Sequence, residues 1–168
     1  FHEELCQCIA ILFQRRPEFI YETITVLCQT KIFSGNTGKQ VLILHEIESY
    51  LRLLPDEGNH AKEVSMMQTL LKVLMRCMSS EHSRLAEQAL QYFRNPKFGA
   101  LMKAHYELTL STLLPSLVCR SSWNPTVRKM TYNGLKQLME YDPDAFRDLC
   151  TRLVDPKLHI RSEARGTE

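Results

Sequence analysis

An all-α fold, an α-α superhelix of about four antiparallel helix pairs, is predicted by three observations on this sequence of 168 residues. Apolar residues recur at spacings of three and four along most of the chain, and no stretch shows the period-two alternation of a half-buried strand. Prolines punctuate that pattern at near-regular intervals: Pro17, Pro55, Pro96 and Pro143 are separated by 38, 41 and 47 residues. The composition, 44% hydrophobic and 24% charged, is that of an ordinary globular chain. A chain of this length buries about 70% of the surface it exposes when unfolded, so extended disorder is excluded for most of it.

The elements follow in order. Leu5, Cys8, Ile9, Leu12 and Phe13 place one apolar face on a helix between Glu3 and Gln14. After Arg16-Pro17 a second series runs through Phe19, Ile20, Ile24, Leu27 and Cys28 and stops near Ser34-Gly35-Asn36, a loop signal. A third helix, about Lys39 to Leu54, carries Leu44, Ile47, Leu51 and Leu54 and ends at the turn-forming run Pro55 to Asn59. The fourth uses Val64, Met67, Leu70, Leu71, Leu74 and Met78. Ser79-Ser80 is then expected to cap the next helix, whose face is Leu85, Ala86, Ala89, Leu90 and Phe93.

Three later helix starts share one chemistry: Asn95-Pro96, Asn124-Pro125 and Asp142-Pro143. An Asx side chain accepts the orphan N–H groups of a first turn, and proline fits the first helical position because no donor is needed there. Between the first two, a helix from about His105 to Arg120 contains Pro115, which is expected to kink or divide it. The last two helices run near Pro125 to Tyr141 and Pro143 to Leu153.

Helix pairs repeating every 40–47 residues or so are the signature of HEAT or armadillo-like repeats, because one pair cannot bury its own apolar face whereas stacked pairs share a continuous core. Residues 1–155 are therefore expected to form the solenoid and 156–168, poor in apolar residues, a frayed tail. The sequence starts on Phe1 within a helical pattern, so a piece of a longer solenoid is expected.

Composition also bounds function. The net charge is only +2, without blocks of one sign, which does not suggest a nucleic-acid surface. No apolar run approaches the roughly 20 residues that cross a bilayer, and no signal peptide opens the sequence. The six cysteines sit mostly among aliphatic residues, where a free thiol behaves as a small hydrophobe. A reducing compartment, cytoplasm or nucleus, is expected.

Catalytic and metal-binding patterns fail one by one. His2, Cys6 and Cys8 lack a second cluster at zinc spacing, and His45-Glu46-Ile47-Glu48 has Ser49 where a zinc-protease helix needs its second His. Ser79, Ser80 and His82 read as a cap followed by an exposed His rather than as nucleophile and base. Gly35 to Lys39 lacks phosphate-loop spacing and follows a helix. Met66, Met67, Met75 and Met78 read as core filling, with a groove for a partner helix as the alternative. No catalytic residue, metal or cofactor is expected, and what remains is a surface. Trp123, in the turn before Asn124-Pro125, either staples the incoming helix against the core or projects as a partner anchor.

Two long segments carry a family resemblance. Arg76 to Phe93, with Ser79-Ser80-Glu81-His82 followed by Ala86-Glu87-Gln88-Ala89-Leu90, is similar to a stretch of the B-prime family of regulatory subunits of protein phosphatase 2A. Ser122-Trp123-Asn124-Pro125-Thr126, then Tyr132-Asn133-Gly134-Leu135-Lys136 and Leu138-Met139-Glu140, resembles that family's W-N-x-T, Y-N-x-L-K and F-M-E signatures. His45 to Leu51 and Leu113 to Leu117 fall at matching distances. Phe93 stands where the family usually has Trp, and Ser122 where His commonly precedes the Trp.

The resemblance spans about Phe1 to Leu153 and implies the carboxy-terminal half of a HEAT-like solenoid. It implies a non-catalytic subunit that joins a scaffold and a catalytic subunit and directs serine/threonine dephosphorylation in signal transduction. The family's pocket for L-x-x-I-x-E substrate motifs lies in repeats before this segment, so phosphoprotein substrates would bind mainly outside it. Partner-binding candidates are the loop positions Arg94, Asn95, Lys97, Trp123 and Asn124, for each of which capping or plain solvent exposure is the structural reading. The rival from another class is a generic HEAT or armadillo adaptor or transport factor; its ladders of basic or Asn side chains at one helix position are not found.

Overall fold

A computed structural model describes residues 2–29, 33, 35–56, 58–118 and 123–154. They form helices α1 (His2–Arg15), α2 (Phe19–Leu27), α3 (Thr37–Leu51), α4 (His60–Met78), α5 (Ser83–Gln91), α6 (Pro96–Ala104), α7 (Tyr106–Val118), α8 (Pro125–Tyr141) and α9 (Pro143–Val154), with a 3₁₀ turn at Tyr92–Arg94. No strand occurs among the described residues.

Capping residues set most of the starts. Asn36 and Asn59 accept the amides of Lys39 and Lys62 at the heads of α3 and α4. All three Asx-Pro pairs cap as expected: Asn95 accepts from Lys97 and Phe98, Asn124 from Thr126 and Val127, and Asp142 from Asp144 and Ala145.

Several expectations change in detail. The second helix ends at Leu27, with the Cys28 amide donating to Ile24, and residues 30–32 and 34 lie outside those described. Ser79-Ser80 does not cap α5: Ser79 closes α4, the Ser80 hydroxyl accepts the His82 amide, and His82 holds the N-cap position without a side-chain bond. Pro115 lies inside α7 without dividing it. The 3₁₀ turn and α6 form a short piece between α5 and α7. Cys119, Arg120 and the tail 156–168 lie outside the described residues.

The helices stack in two layers. In one, α3 packs on α5 and α5 on α8; in the other, α2 packs on α4, α4 on α7 and α7 on α9. Cross-layer contacts of α2 with α3, α4 with α5, α7 with α8 and α8 with α9 close the stack, as an α-solenoid requires. The first helix joins the α3 side through Phe13, whose ring meets Tyr50 edge-on at 5.1 Å. The centre is α4, where Met66, Met67, Leu70, Leu71, Leu74 and Cys77 are all buried. A helix apolar on most sides is one with neighbours on most sides. Met66, Met67 and Met78 fill core space, as expected, and the partly buried Met75 packs against it.

Several polar bonds between elements keep a similar period. Gln88 Nε2 donates to Glu48 across 40 residues, Lys62 pairs with Glu22 across 40, Lys97 with Asp56 across 41, and Tyr141 Oη donates to the Gly99 carbonyl across 42. Buried Tyr92 reaches the Leu44 carbonyl across 48. Each bond ties one repeat to the next, so the proline spacing in the sequence measures the stacking distance along the chain.

Candidate interaction surface

The five candidate positions separate once they are placed, and two are not in loops: Lys97 lies in the first turn of α6, and Arg94 ends the 3₁₀ turn. Asn95 is buried, 2% exposed, with its oxygen committed to the first turn of α6 and its Nδ2 donating to the Glu48 carbonyl at 3.3 Å. Asn124 caps α8 and donates to Glu87 Oε1 at 3.3 Å. The Lys97 ammonium is held by Asp56, whose carboxyl it keeps below the usual carboxylate range. These three side chains fix local geometry. Arg94 and Trp123 instead face solvent.

Trp123 is 79% exposed, so it does not staple α8 against the core. It stands on the rim of a cleft of about 370 Å³ between the ends of α4 and α7 and the starts of α5 and α8, with Met78, Ala86, Leu117 and Val127 in its wall. An exposed indole beside an apolar recess is the usual form of a binding anchor. Ser80, Glu81, Ser83 and Ser116 supply a polar rim.

Arg94 lines a second cleft, about 500 Å³, between α5 and α8. Lys129 and Asn133 of α8 line it too, as do Glu87 and Gln91 of α5. Both cationic groups are exposed. The two clefts share helices α5 and α8, so the surface is contributed by two adjacent repeats. Burial raises the Tyr106 phenol, whose hydroxyl donates to the Leu138 and Asp142 carbonyls and closes the far end of α8.

Of the residues weighed as nucleophile and base, Ser79 is a helix C-cap, the Ser80 hydroxyl accepts the His82 amide, and His82 is exposed; of the zinc-protease pattern, His45 is exposed and Glu46 is engaged with Cys6 Sγ at 3.4 Å. Sequence reasoning missed one group. His60, Glu63 and His105 converge, although 42 residues separate the last two. His60 and Glu63 share a helix face by their i,i+3 spacing, but nothing local points them at His105.

The family model described as "Protein phosphatase 2A regulatory B subunit (B56 family)" matches residues 1–166. The human serine/threonine-protein phosphatase 2A 56 kDa regulatory subunit delta isoform is 29% identical, over 90% of this chain and 25% of its own length. The human alpha isoform is 30% identical, over 89% of this chain and 30% of its length. A Caenorhabditis elegans protein named as a phosphatase 2A regulatory subunit is 26% identical over 100% of this chain and 30% of its own length. The chain thus spans 25–30% of the length of these three relatives.

Proposed function

Because the chain belongs to the B56 family of protein phosphatase 2A regulatory B subunits, we propose that it is part of a non-catalytic regulator that binds the phosphatase scaffold and catalytic subunits and directs dephosphorylation of selected phosphoproteins. The observation that carries this reading is the family match running along residues 1–166, through every helix of the two-layer stack. Regulation of this kind needs shape rather than reactive groups, and a solenoid supplies a long surface from few residues per repeat.

Within that reading, the indole of Trp123 and the guanidinium of Arg94 meet the core enzyme, while Asn95, Lys97 and Asn124 hold the loops in position. The apolar stripe of α1, where Leu5, Ile11 and Leu12 are about half exposed, receives an adjoining helix pair. Substrate phosphoproteins dock mainly on repeats outside this segment. The protein works in a reducing compartment, cytoplasm or nucleus, which suits its buried free thiols Cys28 and Cys77.

The test is biolayer interferometry of the full-length parent protein, and of this chain, against the purified scaffold–catalytic core dimer, with the human delta isoform as positive control. Saturable association of the parent is expected, with weaker binding by the shorter chain. If the parent fails to associate while the control binds, the reading is wrong.

A further inference from the structure

We propose that His60, Glu63 and His105 form a binding site for one divalent transition-metal ion, zinc above all, clamping the head of α4 to the junction of α6 and α7. The ligand atoms of the three side chains lie within 4.8 Å of one another. His105 Nε2 is 2.6 Å from Glu63 Oε1, and the two imidazole rings lie 5.3 Å apart at 32°. In a tetrahedral zinc site with bonds of about 2.0–2.1 Å, neighbouring ligand atoms stand about 3.3 Å apart. The Glu63–His105 contact therefore opens by less than 1 Å, and the His60 ring closes by a side-chain rotation at the surface.

The donor set selects the ion. Two imidazoles and one carboxylate suit zinc, cobalt, nickel and ferrous iron, whereas magnesium and calcium want oxygen ligands throughout. Burial is graded across the site: the His105 side chain is 7% exposed, Glu63 20%, and His60 lies at the surface. Two ligands are thus fixed by packing and the third completes the site from solvent, leaving one outward position for water. His105 Nε2, which faces Glu63 Oε1, would bind the ion through its lone pair, the proton of that contact being released to solvent on metal binding. Placement favours the ligand shell as well. Asn59 fixes the first turn of α4 through the Lys62 amide, and His105 closes α6 with its own amide donating to Leu101. A bound ion would add a metal clamp to the polar ties already joining adjacent repeats.

The experiment titrates cobalt chloride, then zinc chloride, into the full chain under reducing conditions. One cobalt per chain is expected, with visible d–d absorption and no thiolate charge-transfer band, followed by displacement by zinc. The absent thiolate band separates this site from capture by Cys6 or Cys8. Surface-located His60→Ala, which leaves the fold intact, should weaken zinc at least tenfold, as should Glu63→Gln, while His82→Ala should not. Zinc should also raise the unfolding midpoint of the unmodified chain and not that of His60→Ala. Absence of saturable binding at one ion per chain, or equal affinity in His60→Ala, overturns the proposal.

Discussion

Gly134 of α8 leaves room for the ring of Phe93: a Cβ at Gly134 would stand 3.1 Å from Cε2 and 3.2 Å from both Cδ2 and Cζ. Three ring atoms would be crowded at once, and the ring is 8% exposed, so it has little space to yield. Gly134→Ala gains about 1 kcal/mol of helix propensity and loses about 1–3 kcal/mol by overpacking. Urea unfolding is expected to show a net loss of about 1 kcal/mol. Adding Phe93→Leu should reverse the sign of the alanine effect, because the contact that opposes it is gone.

The Thr109 hydroxyl is the buried side-chain polar atom that lacks a hydrogen-bond partner among the described residues, and the residue is 0% exposed. Such a group keeps its desolvation cost without return. Thr109→Val is expected to stabilise the protein by about 1 kcal/mol, measured by thermal or urea unfolding. A loss of stability instead would mean that the hydroxyl is satisfied in solution.

Two caps that look alike in sequence should differ in weight. Asn95→Ala removes the one oxygen that accepts two backbone amides and the Nδ2 bond to the Glu48 carbonyl, and should cost about 2 kcal/mol. Asn124→Ala, at a half-exposed cap, should cost about 1 kcal/mol. Equal losses on urea unfolding would contradict the burial difference between them.

Burial pushes the Cys28 and Cys77 thiols up from an ordinary value of 9.0 to about 12. The unfolded chain releases these protons first as pH rises. The stabilising effect is therefore complete below pH 9 and lost between pH 9 and 12, each thiol contributing a slope of about 1.4 kcal/mol per pH unit in that window. Cys28→Ala/Cys77→Ala should flatten that alkaline fall relative to the parent chain. In the native protein at neutral pH, exposed Cys8 should react with a thiol reagent long before Cys28 or Cys77.

Trp123→Ala should change unfolding free energy by less than about 0.5 kcal/mol, since the side chain is 79% exposed. In the core-enzyme binding assay the same variant should lose at least about tenfold in affinity. Full affinity would remove Trp123 from the proposed contact surface.

Much of this architecture is legible in sequence because its causes are local. Apolar spacing through Leu70, Leu71 and Leu74 marks a helix, and Asn95-Pro96, Asn124-Pro125 and Asp142-Pro143 mark helix starts by capping chemistry that acts within three residues. What escaped depends on neighbours. Ser79-Ser80 carries the usual capping residues, yet α4 uses Ser79 as its own terminus and α5 begins after His82. Trp123 has the position of a staple, but its exposure is settled by the cleft that α4, α5, α7 and α8 leave around it. Asn95 and Asn124 share a motif, and only the tie to Glu48 buries one as a structural pin. His60, Glu63 and His105 meet across a full repeat, a distance over which no short motif extends.

Among the described hydrogen bonds, none spans more than the 48 residues between Leu44 and Tyr92. A rod tied only between adjacent segments bends and twists like a spring, with a compliance that adds along its length. A small change of angle at one junction, such as the Glu63–His105 tie, rotates everything beyond it while the segments themselves stay rigid. The orientation of Trp123 and Arg94 in space is then the sum of the junction angles before them. Such a chain can change the direction in which its later helices point without repacking any single unit.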